Sequence, residues 1–229
     1  MRKIGLIGGM SWESSDTYYQ EINRTIKKRI GGLNSAKIIL FNVNFKEIEL
    51  LQRTGQWDVA GRVLADIAQK IERAGADGIA LCTNTMHKIA HIIQDSVTIP
   101  FLHIADPTIK AIKARQLKAV ALLGTAFTME QDFYKSKFAE AGINIIIPEQ
   151  LDRVLVHDVI YNELCQGKIS INSKENFKSI IHKLQSEGAE GIILGCTEIG
   201  LLIQQADVEI PLFDTTHLHI QDIANFILE

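Results

Sequence analysis

Two stretches of this chain are near copies of each other, and that limits what it can fold into. Gly75–Thr85 reads GADGIALCTNT and Gly188–Glu198 reads GAEGIILGCTE. Aligned without gaps, the glycines, the acidic residue and the apolar run coincide, and Thr83 falls on Cys196, 113 residues later. Gly5–Gly9 (GLIGG) matches Ala121–Thr125 (ALLGT) at an offset of 116, and Val97–Pro100 (VTIP) matches Val208–Pro211 (VEIP) at 111. Three pairs in one order at nearly one spacing describe two related halves.

Within each half, short apolar runs alternate with segments of helical period. Strands are expected at Lys3–Ile7, Ala36–Val43, Gly78–Cys82 and Ile99–Ile104, then at Lys118–Leu123, Ile143–Ile147, Gly191–Leu194 and Pro211–Phe213. Helices are expected at Glu13–Arg29, Trp57–Ala74, Met86–Ile93, Asp106–Ala114, Met129–Ala141, Asp152–Cys165, Ser173–Glu187 and Leu218–Leu228, with another opening at Thr197. Asn44–Gln52 reads as a loop or short helix. Such alternation makes parallel sheets covered on both faces, an α/β class. The expectation is two similar Rossmann-like domains related by a pseudo-two-fold axis, with the active site in the cleft between them. The first half is residues 1–100 plus 208–229, because the last unit parallels Val97–Ala114 and folds back; the second is 101–207.

Composition removes several classes. Net charge is −3 and charged residues are 22% of the chain, so no basic surface for nucleic acid is expected. No apolar run reaches the ~18 residues of a membrane helix. The start, MRKIGLIGGMSWE, loses its apolar character after about five residues, so it reads as a first strand and not a signal peptide. Three cysteines, an odd number without framework spacing, point to a reducing, cytoplasmic setting. The first turn is G-x-x-G-G and not G-x-G-x-x-G, and no acidic residue closes a second strand, which argues against a dinucleotide. A small carboxylate held on the backbone N–H groups of that turn is the functional alternative to simple close packing. His217 and His219 with Asp214 superficially suggest a metal, but zinc spacings are absent and none is expected.

In open α/β sheets, ligands lie beyond the carboxyl ends of the strands, where the loops at Gly8, Thr83, Gly124 and Cys196 fall. Cys196 is expected to face the positive end of a following helix, which would lower its pKa and favour the thiolate. Glu198 orients that thiol or takes its proton, or simply favours the helix start. A slip of one residue reverses the face of a strand, so Cys82 is expected to point away while Thr83 occupies the place matching Cys196. Two groups on opposite faces of one carbon suit removal of a proton from a stereocentre and its return on the far side. Asn84, Thr85, Thr125, Thr128 and Thr197 could hold a carboxylate. His87 reads either as support behind the site or as a hydrogen-bonded core histidine. Cys165 reads as a core or surface thiol.

The motifs G-G-M-S-W (Gly8–Trp12), N-T-x-H (Asn84–His87), L-L-G-T-x-x-T-M (Leu122–Met129) and G-C-T-E (Gly195–Glu198) are spread along nearly the whole chain. In them the sequence resembles the aspartate/glutamate racemase family, whose members work without pyridoxal phosphate. The resemblance implies deprotonation at Cα of a free amino acid by a cysteine from each half. It also implies that Met10 and Gln52 join Thr83, Asn84, Thr85, Thr125, Thr128, Thr197 and Glu198 in lining the substrate. No cofactor is expected, the partner is a small amino acid, and family members commonly form homodimers. This chain departs from the pattern at Thr83, where the family has a cysteine. Because a hydroxyl is a far weaker acid than a thiol, and the second-half cysteine acts on the L isomer, L substrates should be favoured. The alternatives are a broad-specificity amino-acid racemase, a sister chemistry using the same cleft, or a protein that only binds an amino acid or dicarboxylate.

Overall fold

The computed structural model describes all 229 residues. It divides into two compact units, Met1–Ile104 with His219–Glu229, and Ala105–Leu218. In the first, β1 (Lys3–Gly8), β2 (Lys37–Asn42), β3 (Gly78–Leu81) and β4 (Phe101–Leu102) form a parallel sheet in the order β2-β1-β3-β4. Its helices are α1 (Trp12–Ile30), α2 (Phe45–Arg53), α3 (Trp57–Arg73) and the short α4 (Ala90–Gln94), which follows a 3-10 turn over Thr85–Ile89.

The second unit holds α5 (Ala105–Ala114), β5 (Ala119–Gly124), α6 (Ala126–Glu130), α7 (Asp132–Glu140) and β6 (Asn144–Ile146). Then come α8 (Gln150–Asn162), α9 (Ile171–Ser186), β7 (Ile192–Gly195), α10 (Ile199–Leu202) and β8 (Leu212–Asp214). Its parallel sheet has the order β6-β5-β7-β8, the topology of the first sheet over again, so the repeat in sequence is a repeat in fold. The last helix, α11 (Thr215–Leu228), begins in the second unit and contributes His219–Leu228 to the first.

The division falls at 104/105 and 218/219, and residues 208–218 stay with the second unit. The reason is strand pairing: Ile192, Ile193 and Leu194 of β7 register with Leu212, Phe213 and Asp214 of β8. Only the helix after that strand returns to the first unit.

Alternation along the strands sets the two layers of the first core. Ile7, Ile79 and Leu81 pack with α3 residues Leu64, Ala68 and Ile71. Ile4, Leu6, Ala80 and Cys82 pack with Tyr18, Ile22 and Ile26 of α1 and Ile220, Ile223 and Ile227 of α11. Both faces are covered, which is why these strands read as continuous apolar runs. At Gly5 a side chain is forbidden by space: a Cβ would come within 2.1 Å of the Ile71 Cγ2. The second core buries Val120, Leu122, Phe138, Val156, Phe177 and Ile193. No helix is long and apolar enough to cross a membrane.

Three elements are shorter than their sequence pattern suggests. β4 pairs only through Phe101 and Leu102, because the Ile104 N–H leaves the ladder for the His87 Nε2 at 3.2 Å. The helix expected over Met129–Ala141 breaks at Gln131, which is extended, and Lys135 Nζ covers the Glu130 carbonyl at 2.9 Å. The helix expected from Thr197 is one turn, α10, ended by extended backbone at Ile203.

Candidate active site

In the order β2-β1-β3-β4 the chain leaves β1 in one direction for β2 and in the other for β3. The crevice at the carboxyl ends of β1 and β3 is therefore the switch point where such sheets take ligands. The equivalent place in the second unit lies at the ends of β5 and β7.

In the first unit that place holds the Gly8-Gly9 turn and Thr83-Asn84-Thr85. Gly9 has φ +93°, and a Cβ there would meet the Val43 carbonyl oxygen at 2.3 Å, so only glycine fits the turn. The Gly9 N–H, which the sequence suggested for a carboxylate, donates to Ser15 Oγ at 2.6 Å. Ser11 caps α1 by accepting from the Ser14 N–H at 3.2 Å, and Ser14 Oγ donates to the Cys82 carbonyl at 2.8 Å, tying the helix start to the end of β3. This turn is internally satisfied at Gly9, so an anion has to find its donors elsewhere.

Thr83, Asn84 and Thr85 are all buried. Cys82 lies on the opposite face of the strand among α1 and α11 side chains, fully enclosed, and burial pushes its thiol far up. Cys82 thus continues the alternation of Ala80 on the face covered by α1 and α11. Met10 and Met86 share the core beside α3, and Gln52 Nε2 donates to Met86 Sδ at 2.9 Å. Gln52 is buried and its Oε1 has no partner, so the carboxamide presents an acceptor.

His87 resolves as a hydrogen-bonded core histidine that also supports the Thr83 turn. Its Nδ1 lies 2.8 Å from the Thr83 carbonyl and must carry the proton, while Nε2 accepts from the Ile104 N–H. The ring is thereby fixed as the neutral tautomer. Burial, with His103 and His219 nearby, lowers its pKa well below the usual value. His219 is held in a similar way, with Nε2 2.9 Å from the Leu102 carbonyl and Nδ1 2.9 Å from the Tyr18 hydroxyl. His217 only supplies its backbone N–H to Asp214, and no three His, Cys, Asp or Glu groups are arranged to hold a metal.

The neutral His87 makes stability depend on pH. In the unfolded chain a histidine takes up a proton below about pH 6.5, whereas the folded site resists it. The unfolded state then binds more protons, so stability falls as pH drops below about 6.5 and continues to fall until the depressed folded pKa is reached. The expected slope from His87 is about 1.4 kcal/mol per pH unit. Urea unfolding at a series of pH values between neutrality and about pH 5 measures it, and a His87→Asn variant should show a shallower slope.

In the second unit Thr125 caps α6, and its Oγ1 lies 3.1 Å from Thr128 Oγ1. Thr128 is wholly buried, and its hydroxyl lies against that of Thr125. The Gly124 and Gly195 backbones are register partners, so the Thr125 turn and Cys196 emerge side by side.

Cys196 is 8% exposed, and Sγ donates to Glu198 Oε2 at 2.9 Å. The same oxygen accepts from Thr197 Oγ1 at 2.6 Å. Burial first, then the charge of Glu198, push the Cys196 thiol well above its ordinary value. This reverses the expectation of a thiol acidified by a helix end. α10 has four residues and begins only at Ile199, so it contributes little dipole, and the Glu198 backbone N–H near the sulfur is outweighed. The resting group is a thiol hydrogen-bonded to a carboxylate.

A sequence model of the Asp/Glu/hydantoin racemase family matches residues 7–223. The chain belongs to that family. The broad-specificity amino-acid racemase RacX of Bacillus subtilis (strain 168) is 25% identical over 224 residues, 93% of this chain and 92% of RacX. A Yersinia pestis crystal structure assigned provisionally to Asp/Glu racemase is 47% identical, covers 100% of both chains and superposes with a TM-score of 0.94. An aspartate racemase homologue from Pyrococcus horikoshii OT3 is 33% identical, again over 100% of both chains, with a TM-score of 0.87. As a member of the Asp/Glu/hydantoin racemase family the protein is an isomerase, and its two like-ordered parallel sheets are the family's two-domain α/β fold.

Two side chains at these strand ends, His157 and Met86, carried no readable signal in the sequence, and a third, Asp214, was read only as part of a superficial metal pattern. His157, from the middle of α8, accepts the Ala126 N–H on Nδ1 at 3.1 Å and so covers the start of α6. Asp214 ends β8 in the register position of Leu194, and burial raises its pKa. Its Oδ2 lies where a Cβ on Gly200 would come within 2.6 Å, so the glycine admits the carboxylate beneath α10. Met86, which receives the Gln52 carboxamide, looked like ordinary helix core. All three are brought to the strand ends by distant segments, which periodicity cannot reveal.

Proposed function

We propose that this racemase interconverts the L and D forms of aspartate or glutamate without a cofactor, with Cys196 and Thr83 serving opposite faces of Cα. What carries the reading is the Cys196–Glu198 hydrogen bond at the end of β7, set against a hydroxyl residue at the end of the equivalent strand β3. A buried thiol of raised pKa is a poor base by itself, and a carboxylate already accepting its proton supplies the remedy. In the L-to-D direction Glu198 takes the thiol proton and the Cys196 thiolate removes the α-proton. The Thr83 hydroxyl then donates to the far face of the planar carbanion. Solvent refills Thr83, and the proton on Glu198 is released, so the protein ends as it began.

Asn84, Thr85 and Thr125, with the backbone N–H of Thr197, whose hydroxyl is given to Glu198, supply the donors for the substrate carboxylates. The free acceptor on Gln52 suits the α-ammonium group. Thr83 makes the two sides unequal in α-proton exchange and not in kcat/KM: from the D side it must act as a base, which a hydroxyl does poorly. Thiol-mediated removal and return on the same face remains easy, so α-proton exchange of the L isomer should outrun its inversion.

Proton NMR of separate L and D samples of aspartate and glutamate in deuterated water tests this. The expected result is rapid loss of the L α-proton signal, slower appearance of the D form, and slow exchange from the D side. Binding of all four without exchange would leave a protein that only captures amino acids, and the proposal would fail.

Glu198 gives a second expectation, in pH. Because its charge helps hold the thiol pKa up, Glu198→Gln should move the rising limb of the L-isomer kcat/KM profile to lower pH. It should also lower the plateau by about tenfold or more, since the proton acceptor is gone. A limb that stays in place would mean the carboxylate does not act on this thiol.

A further inference from the structure

α6 is a five-residue helix between the Thr125 turn and the extended Gln131, too short to hold its place by its own backbone bonds. α8 tethers it at both ends. At the C-terminal end Arg153 Nε donates to Glu130 Oε1 at 2.9 Å, and Nη1 of the same guanidinium donates to the Pro148 carbonyl at 2.7 Å. One turn further along α8, His157 Nδ1 accepts the Ala126 N–H at the start of α6. To accept, Nδ1 must lack a proton, so the neutral ring carries its proton on Nε2, the tautomer opposite to that of His87. The ring is half-buried, edge-on to Phe127 with centroids 6.5 Å apart and against Tyr161 at 4.7 Å. Few ionisable groups surround it. α6 presents only Glu130, already paired with Arg153, and β5 presents none. α8 itself carries Arg153, Asp158 and Tyr161, and the 3-10 turn after it carries Cys165. α9 meets the start of α8 through Lys183, which is paired with Glu149 and Asp152.

We propose that His157 positions the Thr125 turn for the substrate carboxylate, and that only its neutral form does so. The inference rests on the racemase reading above, in which Thr125 is a carboxylate donor. His157 is a positioning residue: it touches the turn and not the substrate. Ala126 follows Thr125 directly, so the bond to Nδ1 fixes the peptide from which the Thr125 side chain projects. Protonation turns Nδ1 from an acceptor into a donor facing another donor, and the tether is lost. The Arg153–Glu130 pair keeps its charges between about pH 5 and 8, so α6 is then held at one end only and the Thr125 hydroxyl loses its fixed place. Burial lowers the His157 pKa, against smaller opposing pulls from Asp158 and Glu130. The tether is therefore intact at neutral pH and is lost as pH falls below the ordinary histidine value of about 6.5. The substrate carboxylates stay ionised in that range, so a change in KM belongs to the protein.

Two readouts on the full chain between about pH 5 and 8 test this: the Ala126 amide resonance of nitrogen-15-labelled protein, and KM and kcat for α-proton exchange of L-aspartate and L-glutamate. In the wild type the Ala126 resonance should shift with a midpoint below about pH 6.5, and KM should rise through the same midpoint by up to about tenfold per pH unit. Ionisation of Cys196 falls in kcat, which keeps the two limbs apart. His157→Leu should raise KM about tenfold near neutrality and remove its pH dependence. His157→Asn, whose Oδ1 takes the place of Nδ1 and does not titrate, should bring KM back toward the wild-type value and keep it flat down to about pH 5. A wild-type Ala126 resonance without an inflection overturns the proposal, as does a KM limb that survives in His157→Asn. If His157→Leu does not fold, the comparison of wild type with His157→Asn decides alone. A chain that exchanges no α-proton would sink the racemase reading separately, and the pH dependence of the L-aspartate Kd by calorimetry, in wild type against His157→Asn, would then decide on His157.

Discussion

Cys196→Ala is expected to lower racemisation of the L isomer by about a thousandfold or more, and to abolish its α-proton exchange with solvent. The reason lies in the thiol's surroundings. Sγ sits at the end of β7, buried, with its proton directed at Glu198 Oε2. In the proposed mechanism alanine removes both the base and the group that links Glu198 to the substrate carbon. The carboxylate is a weak substitute as base, because its Oε2 stays hydrogen-bonded to the Thr197 hydroxyl at 2.6 Å, behind the place the sulfur occupied. The cost to the fold should be small, since one sulfur is lost from a position that closes the strand without anchoring it. A thermal midpoint within a few degrees of wild type would confirm that the loss is chemical. Cys196→Ser sharpens the test. Its hydroxyl keeps the hydrogen bond to Glu198 but is a far weaker acid, so geometry survives and exchange still collapses. Retained exchange in either variant would remove Cys196 from the mechanism.

How far the sequence could be read follows from what kind of interaction carries each feature. The repeat, the alternation of strands and helices in each half and the placing of Thr83 and Cys196 after strand ends are written in local patterns, and a strand's period of two agrees with Cys82 packing on the face of Ala80. The expected dipole effect on Cys196 failed because a helix start does not reveal helix length. Ile203 goes extended after one turn, and burial beside Glu198 then dominates. The grouping of β8 escaped in a similar way. Its resemblance to Val97–Pro100 was real, but the partner of a strand is set by sheet order, and β8 lies against β7. His157, Asp214 and the Gln52–Met86 pair come from elements far apart in the chain, where no spacing rule applies. Thr128 looked the same as Thr125 in sequence, and only the structure shows that it is wholly buried with its hydroxyl against that of Thr125.

Thr83→Cys should raise turnover of the D isomer by about tenfold or more, and with it α-proton exchange from the D side. In the wild type the D-to-L direction asks the Thr83 hydroxyl to act as a base, and its pKa lies far above that of a thiol near 8.5. A cysteine at the same strand end would supply a group that ionises within reach of neutral pH. Thermodynamics limits how the gain can appear. The two enantiomers have equal free energy in water, so kcat/KM for D-to-L must equal kcat/KM for L-to-D in any variant. The substitution must therefore raise both ratios together, while the imbalance that disappears is in exchange: D-side loss of the α-proton should approach the L-side rate. The new thiol would be as buried as Thr83 is now and, unlike Cys196, would have no adjacent carboxylate, since Asn84 and Thr85 follow it. D-side α-proton exchange should consequently rise toward alkaline pH, where that thiol ionises, more steeply than the L-side exchange that Glu198 assists. D-side exchange unchanged in Thr83→Cys, with the fold intact by circular dichroism, would show that the second proton is handled elsewhere than at residue 83.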